Sequence, residues 1–305
     1  LVSLVGDKAG RRRSLLLLGV VSSVGGVAFA LAGSLPALLA VAFLGNQGAL
    51  GKDRGPFMAV EQAALPQTAR EERRTLLFAH YNLVGTLAGA LGALASGLAP
   101  LLSGAGPLAP LRAYQAGFGL YGALALAAAL LYPHLSPAVE VKAPFPSRGF
   151  VALPKRSRRV VLPLAGLFGV DSFGGGFVIA SFLSYWFFTR WGMNQATLGL
   201  LFFAVTLLTA VSYPVAARLA GRFGLLNIMV FPHLASHLFL VAVPLAPSMG
   251  LAAAFYLLRE FLSQMDVPTR QSYLMAVVEP SERTAAAGLT SLVRQAGQAL
   301  GPSLA

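Results

Sequence analysis

Nine apolar stretches, most of them long enough to cross a bilayer, succeed one another along the chain and are separated by short polar segments. They cover residues 15–35, 37–65, 76–102, 111–132, 160–188, 196–217, 225–245, 248–278 and 284–305. A helix climbs about 1.5 Å per residue, so roughly 20 apolar residues cross the hydrocarbon core. Lipid offers backbone N–H and C=O groups no partner, which leaves the helix as the form such runs can take. The chain is 56% hydrophobic and 11% charged, against about 25% charged in soluble domains. The fold class expected is therefore an all-α polytopic membrane protein.

Charge orients these runs. The net charge of +12 would suit a nucleic-acid partner, but its placement argues against one. Of 23 Lys and Arg residues, 16 fall in segments on one side of the threading, two (Arg112 and Arg190) on the other, and five within apolar runs. Basic loops stay on the cytoplasmic side. Residues 7–13, 68–74, 133–159, 218–224 and 279–283 are thus expected to be cytoplasmic, and the partner is the lipid bilayer rather than nucleic acid. With no cysteine in the chain, disulfides and thiolate metal sites are excluded.

Two halves of the chain resemble each other. Lys8-Ala9-Gly10 matches Arg222-Phe223-Gly224, Asp53 matches Asp266, Pro56 matches Pro268, and Glu72-Arg73 matches Glu282-Arg283, at offsets falling from 214 to 210 residues. Between the halves, residues 133–159 hold five prolines and six basic side chains, the composition of a polar linker.

The segment Ser3-Leu4-Val5-Gly6-Asp7-Lys8-Ala9-Gly10-Arg11-Arg12-Arg13 sits just ahead of the first run. It resembles the loop between the second and third helices of the major facilitator superfamily, where Gly-x-x-x-Asp-Arg/Lys-x-Gly-Arg-Arg recurs. Ser3 replaces the leading glycine, whereas Asp7, Lys8, Gly10, Arg11 and Arg12 match. In the other half, Gly221 stands where the aspartate would be. The resemblance implies two parallel-repeat halves of six helices. Residues 1–132 would be the N-terminal half, from the end of the second helix to the sixth. Residues 133–159 would be the linker, and 160–305 the C-terminal half, up to part of the eleventh helix. About nine spans would be present, in a chain truncated at both ends. For Asp7 the resemblance implies a gating contact with the start of the eleventh helix, near residues 282–286. Drug/proton antiporters of the family carry Arg-x-x-Gln-Gly on the fourth helix; here Gln47-Gly48 is present but Leu44 replaces the arginine, and residues 81–100 hold no Gly-Pro pair.

Ionisable residues inside apolar runs are costly and are therefore paired, cavity-facing or functional. Lys52, Asp53 and Arg54 share one run, Arg259, Glu260, Asp266 and Arg270 its repeat-related counterpart, while Asp171 and Arg294 sit singly on two others. Asp266 and Arg270 are four residues apart and can pair on one helix face. Salt-bridged packing is one reading of this set; a coupling and substrate pathway is the other. In the latter a carboxylate carries a proton, or Arg54, Arg259 or Arg294 forks onto an anion. His233 and His237 are also four apart, but their run holds no carboxylate, so they read as pore or core residues and no metal site is expected. Gly174-Gly175-Gly176 is not followed by the Gly-Lys-Ser/Thr of a phosphate loop.

With no nucleophile–base constellation, the chain is not expected to be an enzyme or to hold a cofactor. The function expected is secondary active transport of a small solute by alternating access, proton-coupled and in the efflux direction, by a monomer in the plasma (inner) membrane. Solute import or facilitation, and a receptor or scaffold on the same fold, are the alternatives.

Overall fold

The computed structural model describes residues 10–44, 56–102, 109–140 and 155–304. Local chemistry sets where its helices begin and end. Helix α1 (Arg11–Leu31) starts at Gly10, whose φ of 90° suits a residue without a Cβ. The first-turn amides of Arg11 and Arg12, which have no partner within the helix, donate to the Glu140 carboxylate at 2.8 and 3.0 Å, so the acid that caps this helix comes from far along the chain. Helices α2 (Leu35–Leu44), α3 (Pro56–Ala64), α4 (Arg74–Leu102) and α5 (Ala109–Leu131) follow. Next come α6 (Lys155–Gly176) and α7 (Ala180–Trp191), the latter closed by Gly192 in the left-handed region. Asn194 caps α8 (Gln195–Phe223) by accepting from the Thr197 amide. Then come α9 (Leu225–Leu245), α10 (Met249–Ser263), capped by Ser248, α11 (Asp266–Val277) and α12 (Arg283–Leu304). Among the described residues there is no strand.

Six described stretches are long and apolar enough to cross a membrane: Arg11–Leu31, Glu71–Ala95, Leu111–His134, Ser157–Trp191, Gln195–Phe223 and Leu225–Leu245. Each overlaps one of the nine runs. Of the other three, run 37–65 falls on α2 and α3 with residues 45–55 outside the described set, and run 284–305 coincides with α12. Run 248–278 is two helices, α10 and α11, that meet at Gln264 and Met265. Pro268 accounts for the break. It has no N–H to give the Gln264 carbonyl, which instead accepts from the Val267 amide at 3.3 Å.

The chain divides into two compact units, neither contiguous in sequence. The first draws on residues 1–68, 91–152 and 280–288. There α1 packs on α5 at backbone distance: a Cβ added to Gly26 would lie 2.7 Å from Tyr121 and 2.9 Å from the Gly122 backbone. Phe29 stacks on Phe118 with ring centroids 4.8 Å apart. The second unit draws on 69–90, 153–279 and 289–305. In it α9 packs against α8, α10 and α11, and Phe187, Leu201, Val243 and Tyr256 form an apolar core. A Cβ on Gly301 would meet the Gly176 backbone at 2.7 Å, and one on Gly297 would strike the Gly169 carbonyl.

Leu31, Leu238 and Leu245 are 78%, 72% and 76% exposed. In water such exposure would be a liability, but lipid tails are as apolar as leucine. Helix association then rests on close contact through small residues, which these glycines provide.

Candidate functional site

The charged side chains of the second unit gather around the α10–α11 break. Glu260 ends the first of these helices and forms an ion pair with Arg259. Asp266 begins the second and receives Arg270 at 2.5 Å, both side chains about nine-tenths buried. Tyr256, one turn before Glu260, faces its carboxylate. The Arg270 guanidinium also lies 5.2 Å from the centroid of the Phe168 ring of α6, a cation–π distance. Two carboxylate–arginine pairs are therefore held where a helix is interrupted. Interrupted helices of this kind recur at the ion and solute sites of transporters.

Further buried polar groups lie around α11. Thr269 turns its hydroxyl back on the Met265 and Asp266 carbonyls. Ser272 accepts from Thr75 of α4 at 2.8 Å, and Gln271 accepts from Asn82 of α4 at 2.6 Å. These cross-helix bonds hold α11 against the first turns of α4.

A second cluster lies between α6 and α9. His233 Nε2 stands 2.8 Å from Asp171 Oδ1. His237 follows one turn later, its ring edge-on to that of His233 with centroids 4.9 Å apart. One ligand atom from each of the three groups fits within 4.8 Å. Beside Asp171, Ser172 accepts from Arg294 Nε of α12 at 3.3 Å. The run that carries both histidines holds no acid. The acid arrives from α6, and single-run inspection cannot see it.

In the first unit Arg11 is fully buried. Its guanidinium donates to the carbonyls of Ala63 (3.1 Å), Val139 (3.3 Å) and Pro280 (3.1 Å). One side chain thus ties the end of α3, the segment after α5 and the approach to α12. Glu61, on the same α3, accepts from Tyr132 at 3.1 Å.

Of the expected site residues, Gly10, Arg11 and Arg12 lie at the start of α1, while Asp7 and Lys8 lie outside the described residues. So do Lys52, Asp53 and Arg54. Arg259, Glu260, Asp266 and Arg270 share the helix break, and Asp171 and Arg294 meet through Ser172. Glu140, His233, His237, Asn82 and Gln271 join these arrangements without having been expected there. The one signal available was the four-residue spacing of the two histidines.

Long apolar helices, lipid-facing leucines and paired charges at an interrupted helix define a multi-pass membrane protein with the architecture of a transporter. The chain belongs to the Major Facilitator Superfamily, whose family model matches residues 1–302. It is 26% identical to the uncharacterized membrane protein YJR124C of Saccharomyces cerevisiae, over 97% of this chain and 73% of that protein. Among solved structures it resembles the human organic anion transporter MFSD10 (TETRAN) with a TM-score of 0.77 and 18% identity, over 99% of this chain and 72% of that one. It also resembles a bacterial homologue of the iron transporter ferroportin in its outward-facing state, with a TM-score of 0.69 and 13% identity over 99% and 79% of the two chains. At these identities the structural likenesses speak to the fold.

Proposed function

We propose that this protein is a secondary active transporter that moves a small organic anion by alternating access and draws on a proton gradient. The observation that carries the reading is the pair of buried ion pairs, Arg259–Glu260 and Arg270–Asp266, at the α10–α11 break. A carboxylate there neutralises its arginine. When the carboxylate takes a proton, the guanidinium is left to seek another anion, and its planar fork fits a carboxylate or phosphate on a solute. The arriving proton thus exchanges the arginine's internal carboxylate for a solute anion, so proton and anion load together, which is the elementary requirement for coupling. The likeness to the human organic anion transporter MFSD10 supports the choice of substrate class.

In this reading residues 1–132 and 160–305 are the two rocking halves and 133–159 the linker, with the basic loops cytoplasmic in the plasma (inner) membrane and a monomer as the working unit. Proton and anion bound in the same state move in the same direction, so this pair supports symport, the solute-import alternative, rather than efflux by antiport. Arg11 and its carbonyl partners near Pro280 form the gate on the loop side, with Asp7 and Lys8 flanking it and Lys52, Asp53 and Arg54 lining the pathway in the other half.

Reconstitution of the full-length protein in liposomes tests the proposal. An imposed pH gradient should drive accumulation of members of an organic-anion panel. Asp266→Asn should abolish gradient-driven accumulation while anion-for-anion exchange continues. Because it leaves Arg270 without its partner, the double variant Asp266→Asn/Arg270→Gln serves as the folded control and should lose both activities. Gradient-driven flux unchanged in Asp266→Asn would refute the exchange at this pair.

A further inference from the structure

We propose that Asp171, His233 and His237 form a binding site for a late first-row divalent metal ion of the zinc class. The inference starts from helix geometry. Residues four apart project from one face, so His233 and His237 offer both imidazoles from α9 in the same direction. Two histidines at this spacing are a recurrent zinc-binding arrangement on a helix. Asp171 comes from α6 and supplies the third donor, in contact with His233. Two imidazoles and one carboxylate are the donor set of open zinc sites, which leave a position for water or another ligand. The set is too poor in oxygen for Mg²⁺ or Ca²⁺, which take six or more oxygen ligands.

The second observation concerns His233 itself. Its Nδ1 is buried and has no hydrogen-bond partner of good geometry, and the Ser263 backbone is the polar group that faces the ring. A ligating histidine commonly turns its second nitrogen toward a backbone carbonyl, which fixes the tautomer and aims the other nitrogen at the metal. With Nε2 as the metal-bound atom, the ion would sit between His233 and Asp171, where the two groups already meet.

The fit requires modest motion. Zinc bonds of about 2.0–2.1 Å set neighbouring tetrahedral donors about 3.4 Å apart. Asp171 and His233 stand at 2.8 Å and must open slightly, while the full set spans up to 4.8 Å and must draw in. His237 is exposed and can swing to close the gap. The charges facing the cluster are known. Arg270 and Arg294 act on Asp171 from α11 and α12, Asp266 acts on His233, and Arg259 on His237. Arg270 is paired to Asp266 and Arg259 to Glu260, so much of the surrounding positive charge is offset locally. What remains, chiefly Arg294, opposes a dication.

This site goes beyond the anion–proton reading and is tested without measuring flux. Calorimetric titration of the full-length protein in detergent with ZnCl₂ should show one ion bound per chain, with MgCl₂ silent. His237→Ala, at an exposed position, should weaken zinc binding by about tenfold or more, and Asp171→Asn should do the same; losing even a supporting partner of a ligand costs about 10–100-fold. Should Asp171→Asn fail to fold, Co²⁺ added to wild type and to His237→Ala supplies the second readout, through visible absorption bands present in the first and lost in the second. Absence of zinc binding to the wild type would overturn the proposal. So would binding of equal strength in His237→Ala, which would assign the ion to surface histidines such as His80 and His134.

Discussion

Replacing Arg11 by alanine isolates the contribution of a single buried guanidinium. The backbone amide of residue 11 keeps its bond to Glu140 in the variant, so the cap of α1 survives and only the side chain is lost. What disappears includes the bonds to Ala63, Val139 and Pro280, at 3.1, 3.3 and 3.1 Å. A hydrogen bond from a charged donor contributes about 1.5–3 kcal/mol, and a buried acceptor left without one costs about 1–3 kcal/mol. The bond to Val139 is long and the three share one donor group, so simple summation overstates the loss; about 3–5 kcal/mol is the expected destabilisation. At about 2–4 °C per kcal/mol for a large domain, the melting temperature should fall by on the order of 10 °C. Arg11→Lys keeps the charge but lacks the fork, reaches fewer of the carbonyls, and should lie between the two. The assay is thermal unfolding of purified protein in detergent, followed by the fluorescence of Trp186 and Trp191. A melting temperature for Arg11→Ala within about 2 °C of wild type would refute the reasoning, as would an Arg11→Lys variant less stable than Arg11→Ala.

Two further perturbations test the packing. Gly26→Val should lower the melting temperature clearly, since even a Cβ there meets Tyr121 and the Gly122 backbone at 2.7–2.9 Å, and overpacking of this kind costs about 1–3 kcal/mol; Gly89→Ala, with nothing within 4 Å of its added Cβ, should be neutral in the same melting experiment. A double-mutant cycle of Asn82→Ala and Gln271→Ala should return a coupling of about 0.5–1.5 kcal/mol for their 2.6 Å bond. A coupling indistinguishable from zero would mean that α4 and α11 are not held together there.

Much of the architecture was legible because membrane helices advertise themselves by length and hydropathy. Five of the runs read from the sequence coincide with single long apolar helices and a sixth, 160–188, with α6 and α7, which part at residues 177–179, and the family follows from the loop that carries Gly10, Arg11 and Arg12. What escaped was the interruption at Gln264 and Met265. Residues 248–278 read as a single apolar run because the pattern contains no glycine there, and a proline three residues past the break resembles the tolerated prolines within α6, α8 and α9. The pairing of Asp266 with Arg270 was visible, since it runs along one helix. The Asp171–His233 contact and the Glu140 cap were not. Each joins residues more than 60 positions apart, and no local spacing encodes a meeting of that kind. Arg11 was expected as a loop cation on the strength of its charge. Its burial reflects three carbonyls converging from distant segments, which composition does not reveal.

The glycine contact between α6 and α12 has a mechanical consequence. Where Gly297 and Gly301 meet Gly169 and Gly176, backbone lies against backbone, and apart from Val293 seated on Gly169 there is little to ratchet against when one helix slides along the other. Arg294, one turn before Gly297, and Asp171 with Ser172, just past Gly169, ride on this smooth track. Axial travel of α12 is thereby geared to the separation of Arg294 from the Asp171 neighbourhood. Motion along this seam is also a change of electrostatic potential at the site, and the backbone itself supplies the linkage.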